Sequence, residues 1–166
     1  MTKNYFIQLA DYNIWANDIV HSWFDKISDE QWERPIVSSF NSIAATALHI
    51  AAAEHIWFQR MNNEENHVWL PSVFKGSKDE HIVLWKKTSA NLKNLVESFD
   101  ENNLQKTLSF KRLNGDQYEL PYYQILAHAF NHSGYHRGQI VTMLRQVGFT
   151  DVGSTDLSFY FWSKKN

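Results

Sequence analysis

The 166-residue chain contains no cysteine at all. Disulfides, thiolate metal ligands and a cysteine nucleophile are therefore excluded. Proline occurs three times and glycine six, too few for a linker-rich or low-complexity chain, and no internal repeat is visible. Lysine and arginine form no cluster and the formal net charge is −2, so neither nucleic acid nor an anionic membrane surface is an expected partner. No hydrophobic run is long enough to span a bilayer. The most apolar stretch, "SIAATALHIAAAEHIWF", is short and interrupted by His49, Glu54 and His55. The start of the chain, "MTKNYFIQLADYN", lacks the charged-then-apolar plan of a secretion signal, and a cytoplasmic location is the expectation.

What the chain has in quantity is aromatic side chains: seven Trp, seven Tyr and eleven Phe, enough to fill or line an interior. Apolar residues make up 43% and charged residues 20%, the balance of a globular protein. The length suits a single domain over residues 1–166.

Periodicity predicts mostly helix. Residues 3 to 27 place Phe6, Ala10, Phe24 and Ile27 on one apolar face, with a polar stripe of Asn13, Asn17 and His21 four residues apart. "SDEQ" at 28 to 31 fits a capping box for a short turn ended by Pro35. A second long helix is expected from Ser42 to Met61, before "NNEEN" breaks the pattern, and a third from the Ser77/Glu80 capping box to near Asp100. The period then changes. "TLSFKRL" and "DQYEL" flank Asn114-Gly115, a pair suited to a tight turn, and predict a small β-hairpin. A fourth helix should carry Pro121 in its first turn, run to Val147 and stop at Gly148, and the tail should fold a short amphipathic segment back. The expected fold is all-α: a four-helix bundle with a hairpin between helices three and four.

The chemistry is concentrated in "HAFNHSGYHRGQ", where His128, His132 and His136 recur every four residues. Residues four apart on a helix lie about 6 Å apart on one face, so two such imidazoles can share a metal ion. Three cannot, because the outer two start about 12 Å apart along the axis. One of the three is a neighbour. Gln139 falls on the same face and can orient a ligand. A further ligand must come from another helix, where His49, Glu54 and His55 are available. Glu54 sits amid the apolar face of Ile43, Ala47, Ile50, Phe58 and Met61, whereas His49 points toward Ala45, Ala52, Ala53 and Ile56, where the small alanines leave room for an imidazole. The wheel does not choose between His49 and Glu54. The competing reading of Glu54 is a buried carboxylate paired with a cation or an amide. Arg137 falls opposite the histidine face, which points to a structural or interface role.

Three stretches, "YNIWAN", "SIAATALHIAAAEHIWFQR" and "HAFNHSGYHRGQIVTMLRQVG", resemble the DinB/YfiT-like family in order and spacing, with "NHSGYHRGQ" the most specific. The resemblance implies a four-helix bundle holding a divalent metal through His49, His132 and His136, with His128 flanking. Zinc or nickel is the expected metal, with manganese or iron as further options; imidazole ligands suit zinc, nickel, iron and copper alike. Asn17, His128, Gln139 and Glu54 are the candidates for groups around the metal or its cavity. The resemblance further implies a thiol-dependent S-transferase or related metal-hydroxide hydrolase acting on a small molecule, and a homodimer. Because the chain lacks cysteine, a thiol nucleophile would have to arrive as a low-molecular-weight cosubstrate. The alternative is a binding module that holds metal and a small molecule without turnover, or a bundle whose histidines only satisfy buried hydrogen bonds.

Overall fold

The computed structural model describes residues 2–111 and 115–164. Helix α1 spans Lys3–Phe24, with the Thr2 hydroxyl accepting from the Tyr5 amide. The short α2, Asp29–Glu33, starts in the expected capping box, Ser28 and Gln31 satisfying each other's backbone amides. Helix α3 spans Ile43–Met61 behind a Ser42 cap. A four-residue helix, α4 (Leu70–Val73), was not legible in the sequence. Pro71 is its second residue, and so short an element leaves no period to read. Helix α5 covers Lys78–Ser98 behind the Ser77/Glu80 capping box. The helix at the start of the chain ends three residues before the expected Ile27, where Asp25 caps it and the backbone turns toward α2.

Strands β1 (Thr107–Lys111) and β2 (Gln117–Pro121) pair antiparallel, with Leu108 opposite Leu120 and Phe110 opposite Tyr118. Gly115 adopts φ +91°, the left-handed conformation expected of the turn, while Asn114 lies outside the described residues. Helix α6 is Tyr122–Gln146. Pro121 belongs to β2 and caps α6 rather than occupying its first turn: its ψ of 146° is extended. Its first amides are used at once, Tyr122 donating to the Lys106 carbonyl and Tyr123 to that of Leu104. At the other end Gly148, at φ +91°, donates to the Arg145 carbonyl and Phe149 to that of Leu144, closing a Schellman motif. Helix α7, Leu157–Ser163, folds back onto α1, where Tyr160 packs against Tyr12 and Trp15.

The four long helices run in the order α1, α5, α3, α6 around the bundle, since α1 and α3 each pack on both α5 and α6. Two apolar clusters fill it. One gathers Val20, Phe24, Trp32, Ile43, Ile50, Trp85 and Ile140; the other gathers Phe6, Trp57, Leu92, Phe110, Ile125 and Phe130. Between them, in all four helices, lies a polar layer: Asn13 and Asn17 from α1, Glu54 from α3, Thr88 and Ser89 from α5, Ser133 and Arg137 from α6. Among the described residues, no helix is long and apolar enough to cross a membrane.

Candidate metal centre

His49 sits one and a half turns into α3, and His132 and His136 stand one turn apart on α6. Because α3 packs directly on α6, the rings meet. One ligand nitrogen from each of the three lies within 4.8 Å of the others, and His49 Nε2 stands 3.0 Å from His132 Nε2. Nitrogens bound about 2.1 Å from a common ion at tetrahedral or octahedral angles stand roughly 3.0–3.4 Å apart. The donors therefore fit a divalent ion after small ring rotations.

The local electrostatics favour neutral rings. Burial, and then His136, push the His49 imidazole down to about 4. Burial takes His132 to about 3, helped by His136, His49 and His128. His136 is also lowered by burial, against a hydrogen bond to Gln139 that works in the opposite direction. A neutral imidazole keeps a lone pair for a metal at neutral pH. His136 Nδ1 lies 2.7 Å from Gln139 Oε1, so it carries the proton there and leaves Nε2 as the lone-pair nitrogen. The Gln139 amide in turn donates to Ser39 Oγ at 3.0 Å. His132 Nδ1 has no such partner among the described residues, and its ring is held by packing against the neighbouring histidines.

Aromatic side chains wall the cluster. Phe40 stacks on His49 with ring centroids 4.0 Å apart and an interplanar angle of 28°, and meets His136 edge-on. Trp69 approaches His49 by its edge, and Tyr135 does the same to His136. None of these three aromatics stood out in the sequence. Phe40 and Trp69 lie in segments without periodicity, and Tyr135 carried no signal beyond its place beside His136.

The other expected site residues fall elsewhere. His128 is exposed, stacked edge-on against Trp57 and next to His132, outside the three-nitrogen cluster. His55 is half-buried and also outside it. Glu54, 1% exposed, lies in the polar layer, not among the imidazoles. Its Oε1 accepts from Asn13 Nδ2 (2.7 Å), Ser133 Oγ (3.1 Å) and Asn17 Nδ2 (3.4 Å), while Oε2 accepts from Ser89 and Thr88. Asn17 accordingly bonds Glu54, Ser89 and Arg137 rather than any histidine of the cluster. Arg137, also 1% exposed, donates to the carbonyl oxygens of Asn13 (2.6 Å) and Asn17 (2.8 Å) and to Tyr12. It faces the polar layer, and its hydrogen bonds are internal.

A helical bundle with a three-imidazole cluster between two of its helices defines a class of candidate metal-binding proteins, and comparison narrows it. The family model described as "DinB family" matches residues 1–166, and the chain belongs to that family. The protein DinB of Bacillus subtilis (strain 168) is 23% identical over 168 residues, covering 98% of this chain and 97% of that protein. A crystal structure of a DinB-like protein from Bacillus cereus ATCC 10987 superposes with a TM-score of 0.71 at 19% identity, covering 90% of this chain and 95% of the other. The DinB-like protein YjoA of Bacillus subtilis gives 0.67 at 17% identity, with 90% and 97% covered. Both share the fold.

Proposed function

We propose that the chain works as one domain over residues 1–166 whose His49, His132 and His136 hold a divalent metal ion, zinc or nickel in first place, and that this centre acts on a small molecule. The observation that carries the reading is the convergence of three ligand nitrogens within 4.8 Å from two helices. An ion bound there supplies Lewis-acid chemistry, lowering the pKa of a bound water or thiol. The chain's own contribution is to present neutral imidazoles, to fix His136 through Gln139, and to surround the centre with Phe40, Trp69 and Tyr135. Three protein ligands leave room for a further one, the arrangement of catalytic rather than structural sites.

The reaction we favour is thiol-dependent S-transfer, with hydrolysis by a metal-held hydroxide as the variant. It is supported by family resemblance, and because the chain has no cysteine a thiol nucleophile would be a cosubstrate. A homodimer is part of the proposal, supported by large aromatics left exposed, Tyr135 at 64% and Trp162 at 64%.

Elemental analysis of protein purified without chelator should find near-stoichiometric metal. Loaded protein is then incubated with several low-molecular-weight thiols and a chlorinated nitroarene. Turnover above the metal-free control supports the transferase. Tight metal binding with no turnover for any thiol leaves the binding module as the function. No metal, and no rise in melting temperature with added zinc, nickel or manganese, removes the metal centre itself.

A further inference from the structure

The segment between α2 and α3 is built unlike an ordinary connection. Ile36 is buried in the first apolar cluster, its amide donates to the Asn41 carbonyl at 2.8 Å, and the next residue, Ser42, caps α3. Both ends of the six-residue loop 36–41 are thus pinned to each other and to the bundle. Its tip is not pinned to the bundle in this way: Val37 is fully exposed, and Ser38 and Ser39 are exposed too. Two side-chain attachments hold the outer half down. Phe40 lies face-on against His49 and edge-on to His136, and Ser39 Oγ accepts from the Gln139 amide, whose carbonyl oxygen meets His136 Nδ1.

From this geometry we infer that Phe40 is the access-determining residue of the three-histidine centre, carried on a hinged loop that Ser39 and Gln139 latch shut. The inference rests on the metal reading above for its purpose. Its geometry does not depend on an ion. A ring at 4.0 Å over the His49 face excludes an incoming ligand from that side, and moving it requires only the tip of a loop whose two ends stay fixed. Gln139 ties the two states to the centre, because one amide serves both the loop and a metal-facing imidazole. When the loop lifts, the Gln139 amide loses its acceptor and the orientation of His136 is less constrained. Phe40 touches the imidazoles and no reacting atom, so it is an access and positioning group, not a catalytic one.

Two measurements on the full chain test this. In the metal-free protein, the rate at which diethyl pyrocarbonate carbethoxylates His49 is followed by peptide mass spectrometry in wild type, F40A and S39A. Loss of one aromatic contact should raise the open population, and hence the His49 rate, about threefold to tenfold in F40A, with a smaller rise in S39A. His67, exposed and outside the three-nitrogen cluster, serves as the unchanged control. Zinc uptake and removal by a chromophoric chelator are then timed by stopped flow. Both should quicken in F40A by a similar factor, leaving the equilibrium affinity nearly constant. Equal His49 modification in wild type and both variants overturns the gate, whatever the metal result. Wild-type protein that takes up no zinc, while F40A still exposes His49, sinks the metal reading and leaves the moving loop standing. Should F40A not fold, S39A, altered only at an exposed hydroxyl, decides alone.

Discussion

Glu54 and Arg137, both buried, are linked through Asn13 and Asn17 rather than by direct contact. Each asparagine offers its amide nitrogen to the Glu54 carboxylate and its carbonyl oxygen to the Arg137 guanidinium, so both side-chain amides have one allowed orientation. The charges lie on α3 and α6, the two helices that bear the histidines. His132 is followed by Ser133 and His136 by Arg137, so α6 shows one face to the imidazole cluster and the next to the polar layer. Whatever fixes the roll of α6 against α3 also fixes the distance between His49 and its two partners.

Removing one charge from this pair strands the other in a dry interior. E54Q and R137M should each destabilise the metal-free protein by about 3–5 kcal/mol, read as a lower urea midpoint. The double variant E54Q/R137M should lose clearly less than the two singles added together, because neither leaves an uncompensated charge. Additive losses would mean that the two charges do not act as a pair.

Deleting ligands separates metal binding from folding. H49A and H132A should each abolish most of the rise in melting temperature that zinc or nickel gives the wild type, while the metal-free forms stay folded. At metal concentrations a hundredfold above Kd the wild-type gain amounts to about 2.7 kcal/mol. H128A should keep that gain, since His128 stands outside the three-nitrogen cluster. Calorimetric titration of the four proteins with the same salt checks both statements.

Gln139 supports a ligand without being one. Q139L should weaken metal affinity by about 10- to 100-fold, the usual effect of losing a partner behind a metal-bound histidine. Its effect on stability without metal should be slight, as the side chain is only half-buried. An unchanged affinity by competition titration would show that packing alone orients His136.

Acid should weaken the metal-free fold by a calculable route that does not involve the cluster. His21 is buried against Trp85 and Phe24, and burial, then the charge of Lys86, lowers its pKa to about 3. The Asp18 oxygen 3.6 Å from Nδ1 therefore faces a neutral ring at neutral pH and forms no ion pair there. The unfolded chain titrates near the ordinary value of 6.5. Between about 6.5 and 3 it binds a proton that the folded state refuses, so stability falls as the pH drops through that window and is fully present above it. The slope approaches about 1.4 kcal/mol per pH unit for this residue. H21F should flatten the urea-midpoint profile over that range relative to wild type, both measured without metal.

Helix positions and caps were readable because they depend on local chemistry: Ser28/Gln31 and Ser77/Glu80 form their capping boxes, and Gly148 terminates α6 as its permissive backbone allows. The polar stripe of Asn13 and Asn17 was visible as a pattern, but its purpose was not. An amide stripe looks the same whether it faces a metal cavity or bridges a carboxylate to a guanidinium forty and one hundred and twenty residues away in sequence. For the same reason the helical wheel left His49 and Glu54 undecided. Both lie inside the bundle, and only the packing partner of each face separates them: α6 imidazoles for one, amides and hydroxyls for the other. Phe40 was invisible because loop residues carry no period, and nothing in "SSFNS" tells an inward ring from an outward one.

Pro121 ends a strand and caps a helix in the same residue, leaving no spacer between the hairpin and α6. The ribbon therefore acts as an index mark for that rod. A single residue inserted at the junction would ask α6 to turn through about 100° to keep its amides on the carbonyls of Lys106 and Leu104. Such a roll would carry the imidazoles out of alignment together with Ile125, Phe130 and Ile140, the apolar side chains the same helix buries.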